Sequence, residues 1–297
     1  MLRAAAGARL ASRLDGLPPP SLFVLGAVSQ YVGSALAVLL FASVPAAGVA
    51  WLRVVAAAAV LTAWRRPWRT FWPLTRLRLV AAFGLTLALM NVCFYLAIDR
   101  LPLGTAVAIE FCGPIAVAVL GSRTRRDAAA LVLAALGVLA LTDVHLAGNP
   151  EGLALAAGAG VLWAGYVVLG HRLAADARVS SQDGLALGMA IGAVVLAPPL
   201  APSAGPAFES LPLLAACVAV GIAASVVPYA LEQVAMRRLP RARFALLLAL
   251  LPATAAIVGA IVLGQVPGLL EAAGIALIVV AASLRSHSED APRDSLP

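Results

Sequence analysis

The chain has 297 residues, of which 62% are apolar and 12% are charged, and its mean hydropathy is +0.98. So few charged residues exclude a soluble globular protein of this length and indicate that the lipid bilayer is its solvent. The net charge of +7 comes from 21 arginines. These arginines lie beside apolar stretches rather than in a polar domain, which excludes a nucleic-acid partner.

Ten apolar stretches follow one another along the chain. A hydrocarbon core of about 30 Å requires about 20 residues of helix, and each stretch approaches or reaches that length. Their uninterrupted apolar runs are not typical of barrel strands, which alternate. The sequence therefore predicts an all-α polytopic membrane protein with ten transmembrane helices at 22–41, 45–64, 77–98, 103–121, 128–144, 152–171, 184–202, 211–231, 241–263 and 268–284.

Two polar segments flank the apolar stretches. Residues 1–20 are interpreted as a short cytoplasmic flank rather than a transit peptide or a surface amphipathic helix, and residues 286–297 as a disordered cytoplasmic tail. Arg53 lies in the middle of a stretch and Arg100 lies in one outer loop, whereas the other arginines lie in the alternate set of loops or, like Arg241 and Arg243, at the edge of a stretch beside them. The positive-inside rule therefore predicts that both termini are cytoplasmic, in a bacterial-type inner membrane.

A short motif occurs twice in the chain. Arg100-Leu101-Pro102 is followed by Pro114, and Arg238-Leu239-Pro240 is followed by Pro252, with an offset of 138 residues in both cases. The recurrence predicts an internal duplication. Five crossings per half reverse the polarity of the second copy, which is the inverted-repeat architecture of secondary transporters.

The duplication defines two five-helix repeats, at residues 21–145 and 150–285. The three cysteines all fall inside apolar stretches, so neither a disulfide nor a metal framework is expected. The extramembrane segments contain no nucleotide loop, zinc-ligand cluster or nucleophile elbow. We therefore expect no cofactor, no metal site and no catalytic residues.

Arg53 and Glu110 are ionisable residues inside predicted spans. A charge at this depth costs at least about 2.5–3.5 kcal/mol on insertion scales, so such residues are functional candidates. Glu110 stands four residues before Pro114, whose ring clashes with the carbonyl of Glu110. Substrate or proton binding is one interpretation of the two residues. The alternative is a structural ion pair between them.

Glu232 has two interpretations. It follows Pro228-Tyr229 near the end of the eighth stretch, which suits a proton-coupling carboxylate, but it also lies close to Arg237, which suits an interfacial ion pair. Polar and aromatic residues that are candidates for lining a substrate cavity are Gln30, Asn91, Tyr95, Trp163, Tyr166 and Tyr229. Helix bends are predicted at Gly113, Pro114, Pro228 and Pro252.

Three segments carry a resemblance to a known family. Residues 91–98, residues 102–114 with their Ile-Glu-Phe-Cys-Gly-Pro sequence, and residues 228–232 resemble the EamA branch of the drug/metabolite transporter superfamily. Within it, the chain looks most like the threonine/homoserine exporters, and the resemblance extends over nearly all of residues 20–285. Many relatives have a Glu-Pro pair in the second half, where this chain has leucine before Pro252.

The resemblance implies a proton-coupled exporter of small amino acids that works by alternating access between the repeats. Arg53 would then bind the substrate carboxylate, and Glu110 would exchange a proton for substrate. A carrier of drugs or nucleotide sugars remains an alternative, as does a membrane scaffold or sensor without transport. The sequence leaves open whether the protein works as a monomer or a homodimer.

Overall fold

The computed structural model describes residues 18–120, 124–145, 149–174, 180–239, 244 and 247–286. Within these residues the secondary structure is helical, without strands. The first half contains α1 (Pro19–Leu40), α2 (Ala46–Arg65), α3 (Leu74–Ile98), α4 (Leu103–Leu120) and α5 (Arg125–His145). The second half contains α6 (Pro150–Ala174), α7 (Ser181–Val195), α8 (Leu211–Gly221, Ile222–Val226 and Val227–Arg238), α9 (Leu251–Leu263) and α10 (Leu269–Ser286).

Proline sets the start of the first three helices. Pro18, Pro45 and Pro73 each occupy the N-cap position, where a residue without an N–H group removes no intrahelical hydrogen bond. In the second half, α9 ends at Leu263. The next residue, Gly264, has a φ of 68°, a left-handed conformation that favours glycine. The boundaries therefore follow from local chain chemistry as well as from hydropathy.

Each of the ten predicted stretches overlaps one of these helices. The largest difference in the second half is at 241–263, where α9 begins at Leu251 and has Pro252 in its first turn. Residues 241–243 and 245–246 of that stretch lie outside the described residues. So do residues 1–17 of the predicted N-terminal flank and residues 287–297 of the predicted tail.

By length and hydropathy, five helices in the described part of the chain are able to cross a membrane: α1, α2, α3, α6 and α8. A sixth candidate is the pair formed by α7 and residues 197–208, which is bent by 52°. The helices α4, α5, α9 and α10 contain shorter apolar segments. The protein is thus an all-helical membrane protein, and the count of ten crossings stays a prediction.

Helix α8 changes its winding in the middle of its course. Residues 222–226 form a π-helical segment between two α-helical segments, and Pro228 lies in the first turn of the second one. A π turn places its carbonyl groups out of the ordinary α-helical register. It therefore makes carbonyl groups available to partners outside the helix.

Helices from the two halves interleave. Helix α3 packs on α6 and α7, α1 packs on α8 and α9, α4 packs on α6 and α9, α2 packs on α7 and α8, and α5 packs on α10. Glycines permit the closest of these contacts, because a methyl group at Gly84 would overlap the backbone of Gly188. Buried apolar side chains fill the interior, whereas large apolar side chains such as Leu39, Val161 and Ile261 are exposed where lipid would cover them.

Candidate functional site

Arg53 lies in the interior of α2 with only 4% of its surface exposed. Its Nε donates to Ser225 Oγ at 2.9 Å, and its Nη2 donates to the carbonyl oxygen of Ala224 at 2.9 Å. The guanidinium carbon stands 4.8 Å from the ring centroid of Tyr95, a cation–π geometry. These contacts occupy one edge of the guanidinium group. Its Nη1 has no hydrogen-bond partner among the described residues.

The π-helical segment of α8 is the anchor that holds Arg53. Its carbonyl groups accept hydrogen bonds from Arg53 on α2 and from Ser29 on α1, whose Oγ donates to Ala223 at 2.8 Å. Close packing supports this arrangement, since a methyl group at Gly33 would come within 2.8 Å of the Ala224 nitrogen. Two helices of the first half thus meet the irregular turn of the second half at one point.

Glu110 is buried in α4 with 6% of its surface exposed. It makes no hydrogen bond or ion pair with any described residue, so the ion pair with Arg53 that was the alternative interpretation is not formed in this conformation. The two groups are nevertheless close enough for their charges to interact. An isolated carboxyl group in a protein interior is costly and is retained where function requires it.

The backbone around Glu110 is also exceptional. Pro114 lies inside α4, where its ring disrupts the hydrogen bond to the carbonyl of Glu110. That carbonyl faces α6, because a methyl group at Gly160 would come within 2.9 Å of its oxygen. Gly113 in turn approaches the backbone of Gly160 so closely that no side chain fits between the helices. Pro252 differs from Pro114, since it lies in the first turn of its helix.

Tyrosines from four helices surround the two charged residues. Tyr31 and Tyr95 are fully buried on α1 and α3, and Tyr166 and Tyr229 are half-buried on α6 and α8. The charge of Arg53 reaches Tyr31, Tyr95 and Tyr229. Ring contacts extend this aromatic wall: Phe83 stacks on Tyr166 at 5.0 Å between centroids.

The other predicted lining residues are spread around this centre. Asn91 is buried on α3, donates from Nδ2 to the Leu87 carbonyl at 2.8 Å, and lies near the Tyr229 side chain. Trp163 packs edge-on against Phe111 at 5.3 Å between centroids. Gln30 is half-buried on α1 and makes no hydrogen bond with a described residue.

Glu232 lies within α8 rather than at its end, because the helix continues to Arg238. It is half-buried, and its charge reaches Tyr31, Tyr166 and Tyr229. Among the described residues it makes no ion pair. The structure therefore brings Glu232 to the side of the cluster that the tyrosines line, whereas Arg53 and Glu110 lie at its core.

Sequence reasoning missed three polar residues in this cluster. Ser34 and Ser225 are completely buried, and Tyr31 is 1% exposed. Serine and tyrosine in apolar stretches are common at helix contacts, so nothing in the sequence distinguishes these from packing residues. The only available signal was spacing, since Tyr31 and Ser34 share one face of α1 with Ala27 and Ala35.

Among the described residues, no group of histidine, cysteine and acidic side chains has the arrangement of a metal site. A cavity of about 200 Å³ lies away from the cluster, between the start of α4, the end of α9 and α10. Gln265 lines it and accepts a hydrogen bond from the Leu103 nitrogen at 2.9 Å. This cavity is separate from the residues that the sequence singled out.

Known proteins resemble the chain over most of its length. The threonine/homoserine exporter RhtA of Salmonella typhimurium is 36% identical over 252 residues, and that of Escherichia coli strain K12 is 35% identical; each alignment covers 83% of this chain and 84% of the relative.

A solved crystal structure of a protein with 21% identity matches the fold with a TM-score of 0.58, covering 92% of this chain and 99% of that one. The profile of the EamA-like transporter family matches residues 150–286. The chain belongs to the EamA-like transporter family, and it is a transporter rather than an enzyme.

Proposed function

We propose that this protein is a secondary active transporter that exports threonine, homoserine or a closely related small amino acid in exchange for protons. The observation that carries the proposal is the buried Arg53, whose Nη1 has no hydrogen-bond partner among the described residues and which lies close to Glu110, itself unpaired within the same residues. A zwitterionic amino acid presents a carboxylate and an ammonium group. A guanidinium and a carboxylate separated by a short distance complement both charges.

Glu110 is proposed to bind either a proton or the substrate ammonium group. Among the described residues, its carboxyl group has no partner that a ligand would have to displace. If the two ligands compete for one carboxylate, a proton entering from outside releases substrate there. Exchange then follows without any nucleotide hydrolysis. The place of Glu232, within reach of three tyrosines, suits a second proton-binding group on the same route.

Alternating access between two inverted repeats is the proposed mechanism. The 138-residue offset relates α1 to α6, α2 to α7, α3 to α8, α4 to α9 and α5 to α10. Exchanging each helix for its counterpart converts the α1–α8 contact into the α6–α3 contact, and the α1–α9 contact into the α6–α4 contact, all of which occur. This exchange of packing partners supports two structurally related halves that move against each other.

The names of the relatives support the substrate class, since they are threonine/homoserine exporters that align with 83% of the chain. The same fold also suits carriers of other metabolites. A counterflow assay in proteoliposomes separates these alternatives. With labelled threonine as the tracer, unlabelled threonine and homoserine are expected to compete, whereas a hydrophobic cation and a nucleotide sugar are not. Competition by either of the latter alone would contradict the proposed substrate class.

A further inference from the structure

Three buried polar atoms without hydrogen-bond partners lie together at the guanidinium group of Arg53. They are Nη1 of Arg53, the hydroxyl oxygen of Tyr95 and Oγ of Ser34. Among the described residues, these are the side-chain nitrogen and oxygen atoms that are fully buried and have no hydrogen-bond partner. They interact with one another, since both Ser34 and Arg53 act on the Tyr95 hydroxyl, but no hydrogen bond of ordinary length joins any of the three atoms to a described residue. Leaving a buried donor without a partner is unfavourable, because the group has lost its hydrogen bonds to water. Three such atoms in one place form a set of donors that an acceptor with several lone pairs would satisfy together.

The surrounding helices fix these atoms in position. Ser225 and Ala224 hold one edge of the guanidinium, so its Nη1 cannot turn toward α8. The Tyr95 ring lies against the same guanidinium at 4.8 Å. Ser34 is completely buried, one residue after the Gly33 that packs on Ala224. The donors therefore come from α1, α2 and α3 and meet at one point.

All three atoms carry hydrogens that they can donate, and the group includes one fixed positive charge. An ammonium group or a cation would be repelled by Arg53. A carboxylate accepts several hydrogen bonds at once and balances the guanidinium charge. The chemistry of the set thus selects an anionic acceptor with more than one lone-pair direction.

We propose that Ser34 Oγ, Tyr95 OH and Arg53 Nη1 form a three-donor cradle for the α-carboxylate of the substrate, with Ser225 as a positioning residue for the guanidinium. This inference rests on the proposed function and adds Ser34 and Ser225 to the residues that select the substrate. Amino acids whose carboxylate is converted to an amide lose the charge and one acceptor oxygen. They are expected to bind at least tenfold more weakly.

The test is direct binding to the purified full-length protein, with threonine and threonine amide as the two ligands. In Ser34→Ala the affinity for threonine is expected to fall about tenfold, since a hydrogen bond to a charged group is lost. Affinity for threonine amide is expected to fall much less. Ser21→Ala is the matched control for affinity, because Ser21 is exposed near the start of the same helix.

Thermal stability provides a second measurement. If Ser34 had only a structural role, Ser34→Ala would lower the unfolding temperature. Ser34→Ala removes an unpartnered buried hydroxyl, so the unfolding temperature of the apo protein is expected to stay the same or rise. Ser29→Ala removes a formed hydrogen bond and is expected to lower it. A lower unfolding temperature in Ser34→Ala with unchanged threonine affinity would overturn the cradle.

Failure of the cradle differs from failure of the proposed function. If the wild type binds threonine and homoserine but Ser34→Ala and Tyr95→Phe bind them equally well, the cradle is wrong and the transport proposal is untouched. If the wild type binds neither amino acid, the proposed function is wrong and the carboxylate assignment fails with it.

Discussion

Arg53 is the central residue of the proposed substrate site. A buried guanidinium is tolerated only when its donors are satisfied and its charge is balanced. Here two donors are satisfied by α8, the face is covered by Tyr95, and the remaining nitrogen has no partner in the described residues. The arrangement leaves binding capacity that a substrate carboxylate would use.

Replacing Arg53 by lysine keeps the charge but not the fork of donors. A lysine ammonium is a compact charge on a flexible stem, so it cannot bind Ser225 and Ala224 and still present a fixed N–H group to a ligand. We expect threonine affinity to fall tenfold to a hundredfold, measured by binding to the purified protein. Arg65→Lys is the control, because Arg65 pairs with Asp183 at the far end of the helix. Equal affinities of both variants and the wild type would refute this role.

The sequence predicts the charged residues of the site better than its hydroxyl groups. Arg53 and Glu110 stand out because a charge in an apolar stretch requires an explanation. Ser34 and Ser225 do not, because serine is common at membrane helix contacts and the sequence does not show which helix faces which. The sequence also does not indicate the hydrogen bond from Arg53 to the Ala224 carbonyl of α8, since this bond depends on a local change of helix winding.

The helices themselves are predictable from hydropathy, but their irregularities are only partly so. Pro114 predicts a disturbed helical turn in α4. The π-helical segment of α8 carries no comparable signal, because Ile222–Val226 is as apolar and small as the rest of the helix. It is stabilised by partners on α1 and α2, which is tertiary information. Functional helices often carry such segments where binding residues lie.

Glycines on α6 offer a test of how tightly α4 and α6 pack. Gly160→Ala would place a methyl group 2.9 Å from the Glu110 carbonyl oxygen, so the helices must separate. We expect this variant to lose about 1–3 kcal/mol of stability and to transport more slowly. Thermal unfolding in detergent measures the first effect and counterflow the second.

Gly158→Ala provides the matched control for this contact. It lies two residues away on α6, and a methyl group there meets nothing within 4 Å. Since alanine has the higher helix propensity, its stability is expected to be unchanged or raised by up to about 1 kcal/mol. Identical unfolding temperatures for the two variants would show that α4 and α6 are not in close contact.

At the scale of the molecule, ion pairs join the two halves at two places. Arg65 on α2 pairs with Asp183 on α7 at 2.8 Å, and Arg100 after α3 pairs with Glu151 on α6 at 3.0 Å. In the topology predicted from the arginine distribution, the first pair is cytoplasmic and the second is extracytoplasmic. Both pairs are formed at once in this structure.

The predicted topology is testable by labelling exposed loop positions. In a background without native cysteines, Ser43→Cys and Glu209→Cys are expected to react with an impermeant maleimide in intact cells, whereas Arg69→Cys reacts only after permeabilisation. All three positions are exposed in the structure, so access depends on the side of the membrane. The reverse labelling pattern would contradict the predicted cytoplasmic termini, and labelling of Arg69→Cys and Glu209→Cys from the same side would contradict the inverted repeats.

The most direct test of the account is counterflow of labelled threonine in proteoliposomes under an imposed pH gradient, with wild type and Glu110→Gln compared at equal, verified insertion. Glutamine keeps the size of the side chain but cannot release a proton. The pH gradient is expected to stimulate threonine flux in the wild type, and Glu110→Gln is expected to lose this stimulation. Equal stimulation in both proteins would contradict proton coupling through Glu110, and no threonine or homoserine flux in the wild type would contradict the proposed function.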